Sequence, residues 1–214
     1  MIFYTSLRLP ALLLSVLAAA GYLGSTSPLQ AQVNTEFQIT KIDPSMPMTP
    51  AITSDIPPKS AGGMPKKWLD VDVSFTWKPR LTTDKFADDV VVNYYILLAN
   101  KSALFPQGTL LSGQVMHTSI PANSQSELRS VMFVSPRTLE RFFDGRVPAS
   151  KESAIFDIGV TISHLGQVVA SKSFKSPAGD WWPQYQQTAG YLLNKNETPF
   201  APLFWDYYEA VKKP

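Results

Sequence analysis

The chain has no cysteine among its 214 residues. That excludes disulfides, thiolate metal sites, a thiol nucleophile and a lipid-modified cysteine, and a cysteine-free exported chain of this size fits a bacterial envelope better than an animal secretome. Histidine is nearly as scarce. His117 and His164 are the two present, without H-x-x-x-H spacing and without a third ligand type beside either, so a zinc or iron centre lacks support and no cofactor is expected. Charge of one sign is missing as well: the formal net charge is +2, and no run of lysines or arginines builds the field that a phosphate backbone requires, so nucleic acid is not an expected partner.

Nucleophile motifs are also wanting. There is no G-x-S-x-G elbow, no P-loop, and no serine in a recognisable local pattern with either histidine. Asp70 and Asp72 form a D-x-D and Asp88-Asp89 follow later, yet the calcium-loop signature of several oxygen ligands around a glycine is absent. Asp206 and Glu209 stand one helical turn apart, a spacing more typical of a solvated face than of paired glycosidase carboxylates. The chain is therefore read as non-enzymatic.

What is present begins at the N-terminus. Arg8 precedes an apolar stretch from Leu9 to Leu23, which gives way to Gly24, Ser25, Thr26, Ser27 and Pro28. A charged start, an apolar middle and a small-residue exit describe a secretory signal peptide over residues 1–31, with cleavage expected after Ala20 or Ala31. The alternative is an uncleaved anchor, which would be the chain's one contact with a membrane. About 15 residues make only about 22 Å of helix, short of the ~30 Å hydrocarbon core. Arg8 is the lone charge in residues 1–31, so the mature chain carries +1. The expected address is the periplasm or outer surface of a Gram-negative-type bacterium, or the medium beyond it.

Strand signals dominate the remainder. Leu69, Val71, Val73, Phe75 and Trp77 alternate with Asp70, Asp72, Ser74, Thr76 and Lys78, the period-two pattern of a half-buried strand. Ala154 to Ile162 alternates likewise, and His164-Leu165-Gly166-Gln167 reads as a hairpin turn into Val168 to Phe174. Val90 to Leu98 is apolar on both faces, and Thr109 to Thr118, Glu127 to Val134 and Glu36 to Ile42 complete about seven strands. The expected fold is all-β: an immunoglobulin-like antiparallel β-sandwich over residues 32–176, with a β-barrel as the alternative pairing. A short crossover helix is expected after Ser135, with Pro136 in its first turn, Leu139, Phe142 and Phe143 on one face, and Gly145 at its end. The connection from Asp43 to Lys67 holds six prolines and two glycines and reads as an extended or mobile loop.

Residues 177–214 form an aromatic C-terminal extension that carries three of the five tryptophans. Pro202 to Lys212 can form a helix with Phe204, Tyr208 and Val211 on one face. Three uses compete for this segment. It can cover an open edge of the sandwich, present aromatic anchors to a partner chain, or offer a stacking platform to sugars. The partner-binding candidates are Trp181, Trp182, Tyr185, Phe204, Trp205 and Tyr208.

With its cysteine-free strand pattern, the segment Trp181-Trp182-Pro183-Gln184-Tyr185 and the stretch Thr198-Pro199-Phe200-Ala201-Pro202, the chain resembles the small secreted immunoglobulin-like proteins of Akkermansia-type Verrucomicrobia encoded beside type IV pilus-like genes. The resemblance implies a non-enzymatic, oligomeric surface or periplasmic protein linked to a pilus-like assembly and to host contact. The N-terminus departs from a type IV prepilin: Gly21 follows apolar residues and no acid precedes Glu36, so the chain is not expected to be a polymerised pilin itself. The functional expectation is an exported interaction or structural protein that binds a protein partner or itself, with a glycan-binding module built on the tail tryptophans as the alternative.

Overall fold

Alternation decides which faces are buried. In the strand Leu69–Trp77 the five apolar residues at odd positions are between 0% and 4% exposed, while Asp70, Asp72 and Thr76 on the opposite face are only partly covered. The structure, a computed structural model, describes residues 36–50, 65–101, 106–122, 127–177, 179–204 and 206–213. In chain order its strands are β1 (Phe37–Ser45), β2 (Leu69–Trp77), β3 (Phe86–Ala87), β4 (Val90–Leu98), β5 (Leu110–His117), β6 (Ile120–Pro121) and β7 (Leu128–Val134). After the helices α1 (Pro136–Phe142) and α2 (Lys151–Ala154) come β8 (Ile155–His164), β9 (Gln167–Ser173), β10 (Gln187–Ala189) and β11 (Leu192–Asn194).

Two sheets result, ordered β1-β2-β7-β11 and β10-β5-β4-β8-β9, with β3 and β6 forming a separate two-stranded ribbon. Every pairing is antiparallel except β10 with β5. The inner faces share one apolar core, to which β2 contributes Val71, Val73 and Phe75, β4 Val92, Tyr94 and Ile96, and β8 Ile158, Val160 and Ile162. The arrangement is the expected antiparallel sandwich and not the alternative barrel. Its seven long strands, β1, β2, β4, β5, β7, β8 and β9, fall where the periodicity placed them.

Local signals explain the connections. The two-residue turn between β8 and β9 holds Leu165 at φ 51° and Gly166 at φ 76°, the left-handed pair of a type I′ hairpin. Helix α1 starts as its sequence predicts: the Ser135 hydroxyl accepts from the Thr138 amide at 3.1 Å, and Leu139 and Phe142 are buried. Gly145, at φ 81°, ends the turn by donating its amide to the Glu140 carbonyl at 2.8 Å.

Three expectations need correction. First, β1 runs to Ser45, three residues past Ile42, and pairs Pro44 with Val71. Because β1 is an edge strand, proline's missing donor falls on a side that needs none. Second, the ends of the proline-rich connection are not irregular: Met48 bridges Lys67, and the Thr49 amide reaches the Lys66 carbonyl at 2.8 Å, while residues 51–64 lie outside the described residues. Third, none of the described residues from Pro202 to Lys212 is helical. The Thr118 amide donates to Ala210 O at 3.0 Å and the Lys212 amide to Met116 O at 2.8 Å, so extended pairing with the end of β5 replaces the helical ladder. The described helical content beyond residue 176 is two 3-10 turns, Trp182–Gln184 and Lys195–Glu197.

Residues beyond 176 complete both sheets. β10 lies against β5, Gly190 at φ 85° turns the chain, and β11 pairs with β7 in the other sheet. Gly113 of β5 is where this corner presses closest, since a Cβ there would lie 2.8 Å from the Leu192 Cβ and 2.7 Å from the Met132 methyl. At the opposite margin a bulge at Thr40 interrupts β1, and the Lys172 ammonium of β9 donates to the carbonyls of Ile39 and Thr40. A chain ending at Ser176 is therefore expected to lose cooperative thermal unfolding, followed by circular dichroism. Cooperative melting within a few degrees of the full chain would show that β10 and β11 are dispensable.

Candidate functional site

The C-terminal segment touches the outer faces of both sheets before it ends, and each contact begins with what the sheet leaves open. On the five-stranded sheet, Tyr95 of β4 is opposite Gly159 of β8, so one position of that face has no side chain. The Trp182 indole fills it, 4% exposed, stacked on the Tyr95 ring at 5.1 Å and 7° between planes. A Cβ on Gly159 would lie 2.0 Å from the Trp182 ring, so only glycine leaves room for the indole. Leu97 and Leu110 close the cluster. Trp181 stands across its neighbour: its Nε1–H donates to Ser173 Oγ at 2.8 Å, and its ring meets Trp182 and Tyr185 edge-on at 80° and 88°.

On the four-stranded sheet the outward residues Val131 and Phe133 of β7 receive Phe200, which stacks on Phe133 at 4.8 Å and meets Trp68 edge-on at 5.7 Å. Tyr208 then donates its hydroxyl to Asp72 Oδ2 at 3.0 Å, while Arg129 Nη1 donates to the other carboxylate oxygen at 3.3 Å. Burial and the adjacent carboxylate push the Tyr208 hydroxyl well above the ordinary phenol range. Burial likewise raises the Asp72 and Asp70 carboxyls.

Under the last extended residues is a cavity of about 270 Å³ bordered by His117, Lys195, Tyr208 and Glu209. His117 is 1% exposed, with Nε2 2.7 Å from Ser130 Oγ and Nδ1 3.3 Å from the Glu209 carbonyl oxygen. The carbonyl can only accept, which assigns the proton to Nδ1 and makes Ser130 the donor to Nε2. Burial holds the imidazole down to about 4, so it is neutral across the physiological range. A serine–histidine pair thus exists where no local motif announced it. Ser130 is wholly buried and a main-chain oxygen stands at Nδ1 in place of a carboxylate, so the pair ties β5 and β7 to the terminal strap instead of facing a substrate.

Phe204 and Tyr207 remain outside these clusters, 64% and 48% exposed. Phe204 sits at φ 55°, in the left-handed region that a bulky aromatic residue rarely enters. The Arg129 guanidinium lies 4.5 Å from the Tyr207 ring centroid. Trp205 lies outside the described residues.

A protein-family model matches residues 28–214. The chain belongs to that family. The match spans the aromatic segment. Among solved structures, a crystal structure of a protein from Akkermansia muciniphila is similar, with a TM-score of 0.69 and 22% identity over 84% of this chain and 94% of that one. No curated protein matches.

Of the six partner-binding candidates, then, Trp181, Trp182 and Tyr185 gather on one sheet, Tyr208 packs on the other, and Phe204 projects to solvent. The carboxylates weighed as a calcium edge already have partners: Asp70 accepts from the Ser45 amide, Asp72 from Arg129 and Tyr208, Asp88 from Thr118 and Ser119, and Asp89 pairs with Lys212. Among the described residues no three acidic, histidine or cysteine side chains converge as a metal site. Tyr95 and Gly159 were not singled out by sequence, and Phe200 stood out only within the Thr198–Pro202 stretch and not as a binding candidate. The available signal was Gly159, a glycine inside an otherwise apolar strand.

Two outcomes follow from this geometry. Gly159→Ala should displace Trp182 and cost about 1–3 kcal/mol, with tryptophan emission shifted to the red. An unchanged spectrum and melting point would mean that the slot is not needed. Unfolded histidine binds a proton near pH 6.5, and His117 in the fold only near 4, so unfolding takes up a proton in that window. Stability is complete above pH 6.5 and falls by about 3 kcal/mol as pH drops through 4. The raised carboxyls of Asp70, Asp72 and Glu209 act in the opposite sense, so the measurement is the difference between native and His117→Gln denaturant midpoints from pH 7 to 4. Parallel profiles would refute the assignment.

Proposed function

We propose that this chain is an exported, non-enzymatic interaction protein of the bacterial envelope, which meets a protein partner or a second copy of itself through the surface around Phe204 and Tyr207. Phe204 carries the proposal. A left-handed backbone costs a non-glycine residue about 1–3 kcal/mol, and here the cost leads to an exposed ring and not to a buried one. Strain that leaves a ring touching Tyr207 and otherwise mostly exposed in the isolated chain is expected where a partner supplies the packing. Export follows from the Arg8-led apolar start, and the resemblance to secreted proteins encoded beside pilus-like genes favours a pilus-like assembly as the setting, with host contact as its outward role. Membership of a family whose model spans the aromatic segment supports a shared use for that segment.

Phe204→Gly separates binding from folding. Glycine adopts φ 55° freely, so the variant should melt about 2–4 °C higher while losing its partner. Light scattering across concentration reads self-association. A photo-crosslinking residue at position 204, compared with one at exposed Gln167, reads capture of another chain in the exporting host. A glycine variant that associates and crosslinks like the native chain would overturn the proposal.

A further inference from the structure

Beside the Trp182 slot, on the same outer face, lies an open groove of about 250 Å³ bordered by Asn93 and Tyr95 of β4, Ser112, Gly113 and Gln114 of β5, and Gln187 and Ala189 of β10. We infer that this groove is a binding site for one ring of a neutral sugar.

Three observations converge. The first is the aromatic wall. Trp182 occupies the β8 side of Tyr95, over Gly159, and the groove lies on the β5 side, so the ring offers its second face to a ligand. The stack behind it fixes Tyr95 before any ligand arrives, which removes an ordering cost from binding. A sugar ring presents flat patches of C–H groups that pack on such a face.

The second is the polar lining. Gln114 and Gln187 are exposed, and their amides make no hydrogen bond to another described residue. Asn93 is held from the β8 side, its Nδ2 donating to Thr161 Oγ1 at 3.1 Å and to Ser163 Oγ at 3.5 Å, which leaves its carbonyl oxygen able to accept. Primary amides offer a donor and an acceptor on one rigid plane, matching hydroxyls that must do both. The third is the absence of charge: among the described residues no lysine, arginine, aspartate or glutamate borders the groove, so a phosphate, sulfate or carboxylate would lose its water without recompense. The volume lies just under the roughly 300 Å³ at which small-molecule sites begin, so one ring fits and a buried oligosaccharide does not.

The site differs from a platform made by the tail tryptophans. Trp182 has no open face, and Trp181 stands edge-on to it. The tail's contribution is instead β10, which supplies Gln187 and Ala189 as the far wall.

The test is saturation-transfer NMR on the exported mature chain with glucose, galactose, N-acetylglucosamine and lactose, at affinities on the order of 1 mM. At least one sugar should receive saturation, and the double variant Gln114→Ala, Gln187→Ala should bind it at least about tenfold more weakly while melting like the native chain. Trp181→Ala should keep the signal. No transfer to any of the four, a signal that survives the double variant, loss with Trp181→Ala alone, or a preference for N-acetylneuraminic acid would each overturn the site. None of these outcomes depends on the association read at Phe204.

Discussion

An indole laid over a glycine fixes the last part of this chain. Trp182 is five residues ahead of β10, and β10 is a parallel strand of three residues, too short to hold its register by hydrogen bonds alone. Burying an aromatic side chain of about 200 Å² is worth up to about 5 kcal/mol at 25 cal/mol per Å², several times what a three-residue ladder supplies. The anchor sets where the chain lands, β10 pairs with whatever is in reach, and Gly190 then carries β11 across to the other sheet. Gly159 keeps the slot open, and the indole in it brings β10 within reach of β5.

The two long margins of the sandwich are managed by different means. Where β10 and β11 arrive, main-chain pairing covers the edges of β5 and β7. Where β1 and β9 meet, no ladder joins them. The bulge at Thr40 turns carbonyls outward, and Lys172 caps two of them with a charge. A bulged strand with a lysine on its neighbour is a poor template for further strands, a common way to keep an edge from recruiting another chain. Strand addition at that margin is therefore disfavoured.

How much of this was legible in the sequence depends on the range over which each signal acts. β2 announced itself because five apolar residues alternate without interruption, and α1 because Ser135, Pro136 and Gly145 fix its ends within eleven residues. The apparent helix at Pro202 to Lys212 failed for the opposite reason. Phe204, Tyr208 and Val211 have helical spacing, but unpaired carbonyl and amide groups at the end of β5 offered Ala210 and Lys212 a partner no local rule can see. β10 and β11 are too short for any periodicity to register. The Ser130–His117 pair joins facing sheets, and the groove between Tyr95 and Gln187 joins residues far apart in sequence, so both needed the fold. The aromatic tail was conspicuous in composition, yet composition alone could not say which rings face inward.

That division limits the kind of interface available. Trp182, Phe200 and Tyr208 already have ring or carboxylate partners within the chain, so exposing them to another protein would first undo packing that holds β10, the outer face of β7 and the terminal strap. Phe204 and Tyr207 are the described tail aromatics with large open surface. Two such rings can bury on the order of 300–500 Å², below the roughly 800 Å² per partner of a standard stable interface. A single contact of that size is weak and reversible. It becomes durable when each chain contributes more than one contact to the same assembly, because the second forms at high effective concentration. If the proposed contact at Phe204 exists, an aromatic point contact of this size suits a subunit or accessory of a repeating structure better than one half of a tight dimer, and it would account for strain at Phe204 while Phe200 and Tyr208 are packed in place.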